Sequence, residues 1–344
     1  MHTKTFLFFL GLSVLHPLAG GAREVLGTVG THSLRLVEPG KAQQLVSVPY
    51  LRVPSARGRL EGVNLAESRL IDQQGAFADL NPEAVHVVLI GSGPQAGHWF
   101  LVRSDSRDAS SGVVEHDGLA GELDQLRGDE TFSVHRLFVL SELFGDAGGL
   151  LQAGANSQSA SAVSFYRGSS YEQYWLSDGS VAPEGWVLSR NGGHEAAGHS
   201  AILPGMSFFL SHPNPVEPVE IRVQGIVVDG PVHLPLIRGY NFVAPVQSRT
   251  LFGEKGLNLK IGELGLRESG FLGASTYGGG DKLLIFDNAT AGIRDTLYLD
   301  SASGEFRSMG FGNSETPQYD MDMGSGAILL NTQGAYTWRL KREP

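Results

Sequence analysis

Polar and apolar residues change places at almost every step along much of this chain, and that period of two restricts its fold more than any other feature. The runs QQLVSVPYLRV (Gln43 to Val53), AVHVVLI (Ala84 to Ile90), HWFLVRS (His98 to Ser104), TFSVHRLFVL (Thr131 to Leu140) and VEIRVQGIVV (Val219 to Val228) are short and rich in β-branched and aromatic residues. Gly, Pro, Asp or Ser bounds them, which marks strands rather than helix turns. A sustained 3.6 period is nearly absent. The best helical stretches, SELFG (Ser141 to Gly145) and GLAGELDQL (Gly118 to Leu126), are short, and nothing long enough to cover a parallel sheet is present. Glycine, at 46 of 344 residues, is nearly twice its roughly 7% background and has no G-x-y period, which suits many tight turns. The expected fold is all-β: short antiparallel strands in sandwich-like modules.

The first residues point to a compartment. Lys4 supplies a positive start, TFLFFLGLSVL (Thr5 to Leu15) an apolar run, and Gly20 and Ala22 the small residues before a cut at Arg23, so 1–22 reads as a signal peptide. The apolar run is well short of the roughly 20 residues that a membrane span needs, and the segment AYTWRLKREP carries no hydrophobic tail. The chain has no cysteine, which excludes disulfides, thiolate metal sites and a lipid-anchored leader. The net charge of -10 is spread out and no basic stripe occurs, which disfavours nucleic acid and anionic membrane as partners. An exported protein is expected, periplasmic, secreted or held at the cell surface.

Two stretches follow one plan. AVSFYRGSSYEQYWLSDGSVAPEGW (Ala162 to Trp186) and KLLIFDNATAGIRDTLYLDSASGEF (Lys282 to Phe306) each run from an apolar segment through a polar turn and an aromatic-aliphatic triplet to a Gly turn closed by an aromatic. SELFG pairs with RTLFG (Arg249 to Gly253), PGMSFFL (Pro204 to Leu210) with MGSGAIL (Met323 to Leu329), and EIRV (Glu220 to Val223) with YTWRL (Tyr336 to Leu340), all in the same order. An internal duplication is expected in the C-terminal two-thirds, as β repeats at 131–225 and 239–341 after an N-terminal β module at 23–130. Each copy has an apolar face that the other can cover.

LVSVPY after a leader, GDETFSVHRLFVLSELFG, GYNFVAPV and DKLLIFDNATAG together resemble a family of uncharacterised exported β-rich proteins that occur in many copies in verrucomicrobial genomes. The resemblance covers most of the mature chain, and this chain departs from the family pattern in several turns. It implies a secreted β-rich body and brings no active-site residues with it.

Several stretches imitate chemical motifs. VHVVLIGSGPQAG places Gly91-x-Gly93-x-x-Ala96 after a strand, as a dinucleotide loop does, but HWFLVRS follows where a helix is required, so a hairpin is expected and no cofactor. GHEAAGH nearly spells a zincin helix, yet His194 and His199 are five apart instead of four and point away from one another on a helix; a loop could still fold them with Glu195 round a metal. Asp320 and Asp322 in YDMDMGSG lack the later acidic ligand of a calcium loop. GGGDK (Gly278 to Lys282) lacks the P-loop pattern. No G-x-S-x-G elbow and no Ser, His and Asp at recognisable spacing occur, and no carboxylate pair stands out.

The densest aromatic patch is Phe165, Tyr166, Tyr171, Tyr174, Trp175 and Trp186. In an extended YEQYWL, Tyr174 and Leu176 share the natural core face, leaving Tyr171 and Trp175 on the other. There they would stack on sugar rings, with Trp186 nearby, or Trp175 would pack against Trp186 as a core contact. The functional expectation is therefore a non-catalytic exported β-rich protein, a cell-surface or extracellular structural or interaction component. The alternatives are a polysaccharide-binding module using Tyr171, Trp175 and Trp186, and a secreted hydrolase with a carboxylate site the sequence does not reveal. No cofactor or metal is expected; polysaccharide or other surface proteins are the candidate partners.

Overall fold

The computed structural model describes residues 29–36, 43–78, 80–104, 111–114, 120–146, 149–168, 170–190, 192–213, 219–247, 261–309 and 326–340. Strand accounts for 49% and helix for 4%, as the alternation requires. The single α-helix among these residues, α1 (Leu140–Phe144), is one turn long. No helix among them is long and apolar enough to cross a membrane.

One seven-stranded antiparallel sheet contains β3 (Pro54–Arg59), β4 (Gly62–Asn64), β5 (Arg69–Ile71), β6 (His86–Ile90), β7 (Trp99–Ser104), β8 (Ser111–Val114) and β9 (Thr131–Arg136), in the order β3-β9-β6-β7-β8-β5-β4. Its alternation supplies two apolar faces. Val88, Ile90, Phe100, Val102, Phe132 and Val134 gather on one side, roofed by Phe77, Leu80, Leu123 and Leu126 from connecting segments. Val87, Leu89, Trp99 and Leu101 lie on the other, against Leu51, Ile226, Val228, Val232 and Val246. With both faces covered, the sheet needs no second sheet of its own.

Most of the remaining described strands form the larger assembly. Here β2 (Gln44–Ser47), β11 (Ala162–Gly168), β12 (Ser170–Ser177), β13 (Gly185–Arg190), β14 (Gly193–Ala196) and β16 (Ser207–Ser211) pair in the order β2-β16-β11-β12-β13-β14. Later in the chain, β19 (Gly239–Val243), β20 (Lys282–Asp287), β21 (Gly292–Leu299), β22 (Phe306–Ser308) and β23 (Ala327–Asn331) pair as β19-β23-β20-β21-β22. Two-stranded ladders flank them: β1 (Val29–Leu36) on β17 (Val219–Ile226), and β18 (Leu234–Leu236) on β24 (Tyr336–Trp338). A further short pair joins β10 (Phe138–Val139) to β15 (Ala201–Ile202). β11 joins the two series by pairing Arg167 and Gly168 with Asn241 and Tyr240 of β19. On the far side Asn288 takes a strand's place, its Oδ1 accepting from Leu45 N–H at 2.7 Å and its Nδ2 donating to Leu45 C=O at 2.9 Å.

Sheet membership departs from the expected segment borders. β1 and β2 lie in the expected N-terminal module of 23–130 but pair with β17 and β16. β9 lies in the expected first repeat but sits inside the seven-stranded sheet, between β3 and β6. Backbone pairing reaches across any sequence distance, and periodicity does not name the partner.

Candidate functional site

The three rings of the expected sugar platform do not make one. The faces divide as expected, with Tyr174 and Leu176 in the main core, yet Trp175 and Trp186 are each only 2% exposed while Tyr171 is 49% exposed. Trp186 is the register partner of Leu176, and Trp175 that of Val187, so the two indoles lie on opposite faces and do not pack together. Trp186 is seated by α1: its ring lies 5.8 Å from Phe144 and its Nε1 donates to Gly145 C=O at 2.8 Å. Trp175 packs with Ala160, Ala162, Ala182 and Val187. Its Nε1 donates to Ser189 Oγ at 3.1 Å, and His194 meets it edge-on at 5.7 Å.

The imitated motifs resolve into turns and strands. Gly91 to Gly97 closes the β6–β7 hairpin, with Gly97 N–H donating to Ile90 C=O at 2.8 Å. His194 and Glu195 lie on exposed β14 and His199 in the turn after it, His194 contacting Ser189 Oγ at 3.0 Å. Among the described residues no three His, Asp or Glu side chains gather as a metal site. Lys282 folds back on its own glycine turn, donating to the carbonyls of Gly279 and Gly280. Asp320 and Asp322 lie outside the described residues.

A site that the motifs did not announce lies on β9. Phe132 and Val134 point into the inner core of the seven-stranded sheet, so Thr131, Ser133 and His135 share the opposite face. That face meets the segment 226–231 across a cleft of about 420 Å³, whose lining includes Arg57, Leu89, Ser133, His135, Val228 and Asp229. Arg57 on β3 and Leu89 on β6 are the register partners of Ser133 on either side. His135 is buried, Ser133 half-buried, and Arg57 and Asp229 exposed; the polar row thus rises from the core to the cleft mouth. The facing wall is held by backbone contacts. His233 N–H donates to Gly97 C=O at 2.8 Å, and Trp99 Nε1 donates to His233 C=O at 2.9 Å. Gly97 has φ +93°, and a Cβ there would come within 2.9 Å of His233 Nε2 and Pro231 O, so both conformation and space demand glycine.

The proton positions at this site follow from its partners. His135 Nδ1 lies 2.7 Å from Arg52 C=O, which can only accept, so Nδ1 carries the proton. Nε2 then holds a lone pair, and Ser133 Oγ, 2.7 Å away, donates its hydroxyl proton to it. Burial first, and then the Arg57 charge, pull His135 down from 6.5 to about 4, against the opposing effect of the Arg52 carbonyl; the ring is neutral at pH 7. The result is a serine hydroxyl aimed at an imidazole lone pair beside an open cleft, an arrangement able to share a proton with a bound ligand.

Two other Ser–His contacts lack this setting. Ser161 Oγ lies 2.6 Å from His212 Nδ1 but also accepts from Gln152 N–H at 3.0 Å, and Ser161 is wholly buried. The Ser189–His194 contact sits on an exposed edge strand, under Trp175. The signal for Ser133 and His135 was present in TFSVHRL as a polar row on one strand face; it reads as solvated because the wall that covers it comes from residues almost a hundred positions later.

No protein-family model, no curated protein and no solved structure matches the chain.

Proposed function

We propose that this is an exported β-rich interaction protein whose binding place is the cleft between the seven-stranded sheet and the segment 226–231. One observation carries the reading: a polar row, Thr131, Ser133 and His135, faces a 420 Å³ cleft on a sheet face otherwise sealed by apolar residues. Small-ligand sites are commonly concave, mostly apolar, furnished with a few convergent polar groups, and placed between domains. Export is supported by the leader at 1–22 and by the family resemblance, and it puts the cleft in the periplasm, the medium or at the cell surface.

The scaffold holding the cleft is best explained as two copies of one unit, with β3–β9 inserted into the first copy between β2 and α1. Equivalent contacts support this. Ser161 N–H donates to Gln152 C=O at 2.8 Å and Asp281 N–H to Leu272 C=O at 2.9 Å. The return contacts, Gln152 N–H to Ser161 Oγ and Leu272 N–H to Asp281 Oδ2, are 3.0 and 2.9 Å.

The test is amide-resolved NMR of the mature protein against a library of small polar fragments. Shifts clustering on Gly91, Gly97, Ser133 and Gly230, and abolished in Ala96→Trp, are expected. Fragments that bind only elsewhere, or shifts indifferent to Ala96→Trp, would remove the reading.

A second reading keeps polysaccharide as partner but moves the platform. Tyr166 lies 5.1 Å from Tyr171 and 5.8 Å from Tyr240, and Tyr171 and Tyr240 are 49% and 42% exposed. These rings bridge β12, β11 and β19 and keep Tyr171 from the expected platform, with Tyr166 and Tyr240 in place of Trp175 and Trp186. Retardation in polysaccharide affinity gels that Tyr171→Ala removes would support it; equal mobility with and without polysaccharide would end it.

A further inference from the structure

We propose that the cleft is an acyl-transfer site in which Ser133 attacks the carbonyl carbon of a small carboxylic ester. The inference rests on the reading of the cleft as the binding place and adds a reaction to it. Three observations carry it. The hydroxyl lies 2.7 Å from His135 Nε2, the distance that nucleophile–base pairs require. Arg52 C=O, 2.7 Å from Nδ1, takes the orienting role that a carboxylate has in the Ser-His-Asp arrangement, fixing ring and tautomer. Unlike the sealed Ser161–His212 contact, this pair opens on a cleft large enough for a small ligand.

The reaction balances without any added oxidant or cofactor. Ser133 Oγ bonds to the acyl carbon as its proton passes to His135 Nε2, and the carbonyl electron pair moves onto oxygen. Arg57, beside Ser133 on β3, supplies positive charge on that side. Collapse of the adduct breaks the ester C–O bond, and the departing alcohol takes the proton from Nε2, leaving acyl-Ser133. Water then attacks, gives its proton to Nε2, and releases the carboxylic acid as Ser133 Oγ recovers that proton. Leu89 and Val228 offer the acyl group an apolar wall.

The weak basicity of His135 sets the substrate class. A base of that strength gives limited help to the attack, which confines the site to carbonyls more electrophilic than an amide's; its conjugate acid, conversely, is strong and protonates an alkoxide readily. The charged side chains lining the cleft besides His135 are Arg57 from β3, whose charge acts on the ring, and Asp229 from the facing wall.

The experiment treats full-length mature protein with a fluorophosphonate probe and maps adducts by peptide mass. One adduct, on Ser133, is expected, absent from Ser133→Ala and formed at least tenfold more slowly by His135→Gln. Its rate in the wild type should hold level from pH 7.5 to about 5.5 and fall near pH 4, a readout independent of whether either variant folds. No adduct on Ser133, or a labelling rate unaffected by pH down to about 3.5, would overturn the inference. If polar fragments still shift the cleft amides while Ser133 stays unlabelled, acyl transfer falls and the binding place stands; if neither occurs, both fall.

Discussion

Lowering the pH should destabilise this protein through His135 before its carboxylates titrate. The ring is 1% exposed and its value drops from 6.5 to about 4 in the folded chain. Between those values the unfolded chain binds the proton and the folded chain does not, so stability falls as pH falls. The loss is complete near pH 4; below that both states are protonated and this contribution no longer changes. At about 1.4 kcal/mol per tenfold change in proton affinity, the full effect is roughly 3 kcal/mol. His86 and His212 are also lowered, mainly by burial, and add to the slope in the same direction. The wild type must therefore be compared with His135→Gln, whose amide can still donate to Arg52 C=O. Urea midpoints at pH 7.0, 5.5 and 4.0 give the measurement. The difference between the two proteins should change by roughly 3 kcal/mol over that range, the variant losing less. Parallel pH dependences in the two proteins would show that His135 binds its proton equally well folded and unfolded, and would refute this reasoning.

Asp281, fully buried, accepts from Leu272 N–H, Thr332 N–H, Thr332 Oγ1 and Gln333 Nε2 at 2.9, 2.7, 2.7 and 3.2 Å. Asp281→Ala strands these donors and should cost about 3–5 kcal/mol by urea denaturation. Trp186→Ala should cost about 3–5 kcal/mol, whereas Tyr171→Ala, at an exposed ring, should stay within about 0.5 kcal/mol, both read from denaturation midpoints. Asn288→Ala removes both bonds to Leu45 and should raise hydrogen exchange at the Leu45 amide at least tenfold, with about 1–3 kcal/mol lost.

Alternation located the strands well because it depends on local burial. AVHVVLI contains β6, HWFLVRS contains β7, TFSVHRLFVL contains β9 and VEIRVQGIVV contains β17; SELFG became α1, and Gly91–Gly97 became a hairpin. What alternation cannot convey is which strand lies alongside. β1 reaches β17 across nearly the whole first series, and that choice rests on side-chain fit between surfaces brought together only on folding. Whether Trp175 faces solvent or core stayed open in the sequence for a related reason. It does lie on the face away from Tyr174, but β14 and the segment around Ala160 cover that face as well, so neither side of β12 is the solvent side there. Ser133 and His135 show the opposite case, polar residues on a face that turned inward.

The seven-stranded sheet leaves and rejoins the scaffold at one point. Pro54 at its start and His135 near its end are register partners, so the two attachment strands lie side by side. A chain stretched between its flanks would carry the tension through the β1–β17 and β18–β24 ladders and past this sheet, which hangs off the line of force until the scaffold gives way. In a chain pulled from its flanks, the strands between Pro54 and His135 are mechanically sheltered while that pairing holds. The same adjacency lets that part be exchanged for another with neighbouring ends without re-routing the scaffold.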